Sequence, residues 1–365
     1  MNVTEPLNSI KPRVRVANMP EYHPPLGNRN RLRLDFNENT LACSPKVKAA
    51  LEGITAADLT RYPEREPVEV LVAQHFGLNP EEVMLTNGVD EAIHVLCQAF
   101  LDVDDELLLP VPTYTMYEIY ASATDDRLVK VQAAEDFSFP FEGMLKAITP
   151  RTKLIAIANP NSPTGSVATR EQILQIAEAA PGALILVDEA YFHFYGETVM
   201  DLIGTVPNLI VARTFSKAYG LASLRVGLLA GTVKNLRWVR RVLSPYSVNT
   251  VALTCLAAAI EDQEYLQWYV GEVKQARAEF LTMLASIGIR YWPTQANFVL
   301  VNVGVNHKQL VAELCQEGIL VRDRSADPGC DGYVRITIGT RDQMQRAIPV
   351  LKRQFQKLAS TGVSQ

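Results

Sequence analysis

An α/β fold, built on a largely parallel sheet with helices on both faces and accompanied by a smaller α+β unit, is what this 365-residue sequence predicts. Two observations carry that expectation. From about residue 83 onward, short β-rich apolar runs alternate with segments of helical periodicity, the pattern of strand–helix–strand units. After Val248 the pattern shifts to long helical stretches broken by a few short strands.

Taken in order, the first thirty residues are proline-rich and irregular, and read as an arm laid over another surface. Ser44-Pro45, followed by Val47, Ala50 and Leu51 and closed by Gly53, reads as a capped short helix with proline in its first turn. Strands are expected at Val83–Leu85, Glu106–Leu109, Leu128–Val131, Leu154–Ala158, Ala183–Val187, Leu209–Ala212 and Val226–Ala230, which makes a mostly parallel seven-stranded sheet. Helices are expected between several of them, among them Asp90–Phe100 and Arg170–Ala179. Beyond Val248 come helices Thr250–Glu261 and Glu264–Ile287. Then follow strand Phe298–Val301, helix Lys308–Glu317, strands Ile319–Arg322 and Tyr333–Ile338, and helix Arg341–Leu358. The expected division is an N-terminal arm with part of the small domain (1–45), a large domain (46–262) and a C-terminal small domain (263–365).

Composition narrows the function. A net charge of -5 leaves no basic footprint for nucleic acid. No apolar run approaches the roughly 18 residues of a membrane helix, and the N-terminus lacks a signal pattern. Five cysteines, an odd count with no Cys-x-x-Cys, read as reduced thiols, with neither a disulfide frame nor a metal site. The expectation is a cytoplasmic protein.

The richest segment is Arg213-Thr214-Phe215-Ser216-Lys217-Ala218-Tyr219-Gly220. Lys217 sits between a hydroxyl-bearing turn and small residues, where a chain can approach a ligand closely; taken alone it is an ordinary loop lysine. Asp188 ends the apolar run Ala183–Val187, at the edge where α/β sheets bind ligands. An amine able to form an imine, a strand-end carboxylate, and the Thr214 and Ser216 hydroxyls with Arg225 for a phosphate are the parts of a pyridoxal phosphate site. Tyr191 follows Asp188 closely enough to set its hydroxyl near a ring oxygen. Gly88 in Asn87-Gly88-Val89-Asp90 precedes a helix start, where backbone N–H groups make an anion site. Tyr114 is placed to lie against a heteroaromatic ring. Asn159-Pro160-Asn161-Ser162-Pro163-Thr164-Gly165 makes a rigid turn whose Asn or Ser side chains can reach a cofactor. Arg322 and Arg335, on two small-domain strands, suit two-point anion binding.

No one of these is decisive, but they occur in a single order with Asn37-Glu38-Asn39, Arg61-Tyr62-Pro63, Pro112-Thr113-Tyr114, Pro163-Thr164-Gly165, Asp188-Glu189-Ala190-Tyr191 and Val334-Arg335-Ile336. Together they resemble the class II aminotransferases, and within them the histidinol-phosphate aminotransferases, over about residues 22 to 355. The resemblance implies a fold-type I pyridoxal phosphate enzyme acting as a homodimer. It implies Lys217 as the covalent cofactor lysine, Asp188 as partner of the ring nitrogen, Tyr191 at the phenolic oxygen and Tyr114 against the ring. The Val89 and Asp90 amides, Thr214, Ser216 and Arg225 would hold the phosphate, joined by Tyr62 from the neighbouring subunit. Tyr22, Arg322 and Arg335 resemble the family's substrate contacts. One departure stands out: where the family has Asn before Pro-Thr-Gly this chain has Ser162, so either Ser162 or Asn161 would meet the ring oxygen. Thr40-Leu41-Ala42 also stands where the family more usually has proline and glycine.

The activity this implies is transamination between histidinol phosphate and 2-oxoglutarate, a step in making histidine. The alternatives on the same scaffold are an aminotransferase for aromatic or other amino acids, and a threonine-phosphate decarboxylase. A non-catalytic pyridoxal-phosphate-binding regulator is the alternative of another class. It is disfavoured because Lys217 and Asp188 are both present and residues 1–30 hold no helix-turn-helix pattern.

Overall fold

In the computed structural model, residues 11–19, 21–27, 29–124 and 127–360 are described, the side chains of residues 359 and 360 excepted. The strands among them are β1 (Leu32–Leu34), β2 (Val83–Thr86), β3 (Glu106–Val111), β4 (Arg127–Gln132), β5 (Thr152–Ala158), β6 (Leu184–Asp188), β7 (Leu209–Thr214), β8 (Gly227–Gly231), β9 (Phe298–Asn302), β10 (Ile319–Asp323) and β11 (Tyr333–Thr337). They form two sheets. The larger has seven strands in the order β2-β8-β7-β6-β5-β3-β4, and β8 runs antiparallel to both its neighbours while the others are parallel.

The central strands are buried on both faces, which is why they read as continuous apolar runs. Alternate residues serve different cores. Ile155, Ile157, Ile185, Val187, Leu209 and Val211 face one side, against helices Glu66–Phe76, Arg170–Ala179 and Thr250–Glu261. Leu154, Ala156, Leu184, Leu186, Ile210 and Ala212 face the other, against helices Gly88–Phe100, Met116–Ala123 and Val233–Val239. Helix starts are capped by short polar side chains. Thr169 and Gln172 form a reciprocal capping box, and Asn249 accepts from the Ala252 amide.

The smaller sheet has four strands in the order β1-β10-β11-β9. β1 pairs parallel with β10, so residues near the N-terminus complete a sheet made otherwise near the C-terminus. Helix Gln263–Ser286 packs along helix Arg341–Ser360, and helix His307–Gln316 packs on β10. β10 and β11 are antiparallel with Arg322 opposite Arg335, so the two arginines are cross-strand partners.

Element bounds shift by one or a few residues throughout, and two differences have a clear cause. β1 was not anticipated in the arm. The long helix begins at Gln263, one residue earlier than expected, because Asp262 caps it by accepting from the Tyr265 amide.

Candidate active site

The carboxyl ends of β5, β6 and β7 open into a cavity of about 650 Å³. The period-2 alternation of the strands decides which side chains reach it. Asp188 continues the side of Leu184 and Leu186 at the end of β6, and Thr214 continues that of Ile210 and Ala212 at the end of β7. Both line the cavity, with Lys217 on the turn that follows β7.

Lys217 Nζ donates to the Phe36 carbonyl at 2.9 Å and lies 5.9 Å from the centre of the Tyr191 ring. The Tyr191 hydroxyl accepts from Asn37 Nδ2 at 2.9 Å. Asn37 is itself over-determined: its φ is 55°, its amide and Oδ1 both bond Thr337 Oγ1, and its carbonyl accepts from Asn297. The Asn-Glu-Asn motif thus anchors the small sheet to the cavity floor.

Asp188 is buried. One carboxylate oxygen accepts from the Tyr117 hydroxyl at 2.7 Å and the other from the Ala190 amide at 3.0 Å. Burial pushes its pKa up to about 6, against the lowering effect of those two hydrogen bonds.

Beside the turn that carries Lys217, Arg225 forms a second polar corner of the cavity. Helix Gly88–Phe100 begins there with Gly88 at φ +73° and Val89 and Asp90 on the cavity surface. Arg225 donates to Asp90 at 2.9 Å, to the Ala222 carbonyl at 3.1 Å and to Ser216 Oγ at 3.5 Å. Thr214 Oγ1 accepts from the Ser216 amide. A helix N-terminus, a guanidinium and two hydroxyls converge on one spot, an arrangement suited to a phosphate. Tyr114 lies on the same wall, its hydroxyl donating to Asp90 at 2.7 Å. Burial first, and then the Asp90 charge, hold its proton on more tightly than usual.

Of the expected site residues, Val89, Asp90, Tyr114, Ser162, Asp188, Tyr191, Thr214, Ser216, Lys217 and Arg225 all line this one cavity. Asn161 does not. Its Oδ1 accepts from Thr113, and its amide nitrogen donates to the Pro112 carbonyl and to Thr164 Oγ1, so the side chain holds the turn together. Ser162 faces the cavity and accepts from Arg335 at 3.1 Å. The Asn159–Pro160 and Ser162–Pro163 bonds of this turn are both cis.

Arg335 is buried, donates also to the Asp35 carbonyl at 2.7 Å, and finds no partner for Nε among the described residues. Burial lowers its pKa to about 10. Arg322 contacts the Tyr22 hydroxyl at 3.4 Å, stacks on Phe36 and finds no partner for NH1 among the described residues. It lines an adjoining cavity of about 510 Å³ that shares Leu26 with the first. Tyr62 stays outside: it is 77 % exposed and stacks on Tyr246 with ring centres 4.4 Å apart.

The family pattern described as aminotransferase class I and II matches residues 29–351. The chain belongs to that family. Among its relatives, a Bacillus cereus protein named histidinol-phosphate aminotransferase 1 is 30 % identical over 359 residues, covering 96 % of each chain. A Thermoanaerobacter protein named histidinol-phosphate aminotransferase is 33 % identical over 327 residues, 88 % of this chain and 92 % of its own. The crystal structure of histidinol-phosphate aminotransferase from Sinorhizobium meliloti in complex with pyridoxal-5'-phosphate superposes with a TM-score of 0.86. It is 24 % identical, over 96 % of this chain and 99 % of that one, and shows that this aminotransferase shares its fold. No helix among the described residues is long and apolar enough to cross a membrane.

Sequence reading of this aminotransferase overlooked Tyr117, the Phe36 carbonyl and the Thr337–Asn297 support beneath Asn37. Tyr117 stands one helical step beyond Tyr114, but only the packed helix aims its hydroxyl at Asp188.

Proposed function

We propose that this aminotransferase uses pyridoxal 5'-phosphate to exchange the amino group of histidinol phosphate with 2-oxoglutarate, giving imidazole acetol phosphate and glutamate. The observation that carries the reading is a single cavity that joins the Lys217 amine, the buried Asp188 carboxylate and the Arg225–Ser216–Thr214 corner. These groups fit the cofactor: among the described residues Asp188 accepts from Tyr117 and the Ala190 amide, and so retains room to accept from a protonated ring nitrogen. When bound, pyridoxal phosphate supplies an electron sink for the carbon bearing the substrate amino group.

The chain's own groups do the rest. Asp188, ionised above about pH 6, keeps positive charge on the ring nitrogen. Lys217 Nζ would take the proton from the substrate carbon that bears the amino group and, as the conjugate acid, return it to the cofactor carbon on the other side of that nitrogen. Tyr191, oriented by Asn37, offers its hydroxyl to the ring oxygen, and Ser162 is the cavity-facing residue of the turn for the same oxygen. Val89 and Asp90 amides, Thr214, Ser216 and Arg225 hold the phosphate.

The unpartnered donors Arg335 Nε and Arg322 NH1, with Tyr22, support an anion subsite. A buried donor left unmet costs about 1–3 kcal/mol, which an incoming anion recovers. Guanidinium matches both a phosphate and a carboxylate, so one subsite serves histidinol phosphate and glutamate in turn. Tyr62, exposed and outside its own cavity, is read as reaching the cofactor phosphate of a second copy in a homodimer. All five cysteines are thiols, which supports a reducing cytoplasm.

The test is a substrate panel on purified protein loaded with pyridoxal phosphate. Histidinol phosphate should convert the cofactor spectrum to the aminated form, and 2-oxoglutarate should restore it. Indifference to that pair, with turnover of aromatic or branched 2-oxo acids or release of carbon dioxide, would replace the substrate assignment.

A further inference from the structure

Glu189 and Arg213 sit next to Asp188 and Thr214 in the chain but project from the opposite face of the sheet. The period-2 alternation sends Asp188 and Thr214 into the cavity and turns Glu189 and Arg213 toward the side of Val187 and Val211. There the two make a buried ion pair: Arg213 Nε and NH2 both reach Glu189 Oε2, at 3.0 and 2.8 Å, with the side chains 4 % and 2 % exposed.

The pair is fully embedded. The Thr198 hydroxyl, 2.9 and 2.7 Å from the two Glu189 oxygens, donates its proton to that carboxylate and accepts from Arg213, and the Val199 amide donates to Glu189 at 2.8 Å. The guanidinium lies 3.6 Å from the Phe192 ring centre and 4.9 Å from that of Phe76. The regular β6–β7 ladder ends at Asp188 opposite Ala212, followed by one more bond from the Glu189 amide to the Ala212 carbonyl. Beyond that point β6 and β7 share no further ladder pair among the described residues; Asp188 is held on its other side by Ala158 of β5, and Thr214 by Gly227 of β8.

We propose that the Glu189–Arg213 pair is a positioning device for the cofactor. It clamps the ends of β6 and β7 from behind and so fixes the separation between the Asp188 carboxylate and the Thr214–Lys217 turn. The inference rests on the pyridoxal phosphate reading above. A buried ion pair is a poor source of stability, because desolvation offsets much of the attraction and apolar replacements are often neutral. Its placement behind the two strand ends that frame the cavity fits a geometric role, since errors of about 1 Å in such a frame cost roughly a hundredfold.

The experiment separates position from stability. Glu189→Gln leaves the guanidinium buried and unpaired, and the melting temperature should fall. The double variant Glu189→Gln/Arg213→Met removes both charges and should recover the melting temperature. Its affinity for pyridoxal phosphate, read by titrating apoprotein, should remain weaker than wild type on the order of tenfold, the scale of one misaligned charge-assisted contact, with an altered absorbance for the lysine-linked cofactor. Arg213→Lys, which keeps the charge but loses the two-pronged contact, should fold and show the same weakened binding. A double variant, or an Arg213→Lys protein, with wild-type affinity and spectrum overturns the proposal. If the double variant fails to fold, Arg213→Lys alone decides. Wild-type protein that does not link the cofactor to Lys217 would instead overturn the functional reading on which this one stands.

Discussion

Tyr117 holds Asp188 from beneath: its hydroxyl, fully buried, donates to Asp188 Oδ2 at 2.7 Å. The Tyr117 proton is pinned by burial first and the Asp188 charge second, so the phenol stays a donor at every working pH. Hydrogen bonds to a charged partner contribute about 1.5–3 kcal/mol. Tyr117→Phe keeps the ring and removes that bond, so the Asp188 pKa should climb further and cofactor affinity should drop on the order of tenfold. Titration of the apoprotein with pyridoxal phosphate at pH 7 reads it out. Unchanged affinity would mean that the bond serves packing alone.

Asp188 also predicts a pH dependence whose sign differs with the cofactor. In the apoprotein its folded pKa of about 6 lies above the unfolded value near 3.8, so the native state keeps a proton that the unfolded chain has lost. Its contribution to stability is therefore complete below pH 3.8 and is lost as pH rises through about 6. Asp188→Asn cannot titrate, so its stability relative to wild type should improve between pH 4 and pH 7 in urea denaturation of the apoproteins. A gap between the two that ignores pH would reject this account. On the proposed reading, in which a cationic ring nitrogen faces Asp188, bound cofactor would favour the carboxylate, and binding should weaken as pH falls below about 6.

Two glycines meet at the Arg225 corner proposed to hold phosphate and should fail in different ways. A Cβ on Gly88 would lie 2.6 Å from Arg225 NH2, and the φ of +73° adds strain of about 1 kcal/mol. Arg225 is a long side chain and can swing aside, so Gly88→Ala should fold while losing the Arg225–Asp90 contact. Its affinity for pyridoxal phosphate should fall about tenfold, as one charge-assisted contact is lost, while its affinity for phosphate-free pyridoxal stays close to wild type. A Cβ on Gly227 would instead lie 2.7 Å from the Gly88 carbonyl carbon and 2.8 Å from the Val89 nitrogen, which are backbone and cannot yield. Gly227→Ala should therefore lower the melting temperature more than Gly88→Ala does. Equal losses for the two ligands in Gly88→Ala would show that the corner does not grip phosphate.

The strands of the large sheet were legible because burial on both faces demands apolar runs, as in Leu184–Val187, and no partner need be known to see them. β1 was not legible for the complementary reason. Arg31-Leu32-Arg33-Leu34 is short and charged, and its partner Ile319–Val321 lies at the far end of the chain. Site residues at strand ends followed from the same local signals, Asp188 after its apolar run above all. Contacts made across the fold were silent in sequence. The Asn161 amide is absorbed by Thr113, Pro112 and Thr164, and nothing in Asn161-Ser162-Pro163 tells which side chain turns outward. Glu189 and Arg213 were visible only as neighbours of better-known residues, because their meeting depends on β6–β7 register.

Tyr62 leads to a prediction that only an assembly can satisfy. Its ring is exposed and lies outside the cavity of its own chain, yet the motif Arg61-Tyr62-Pro63 belongs to the set that marks the family resemblance. If Tyr62 completes the site of a second copy, two defective chains can repair each other. Lys217→Ala chains lack the amine but carry an intact Tyr62; Tyr62→Ala chains carry the amine but lack the Tyr62 hydroxyl. A hybrid dimer then contains one site with Lys217 from one chain and Tyr62 from the other, complete in both. Mixed dimers, refolded together and separated by affinity tags, should transaminate at close to half the wild-type rate, well above either parent. If Tyr62 instead served its own chain, every site in the hybrid would lack one of the two groups. The hybrid would then be no faster than the average of its parents, and the shared site would be excluded.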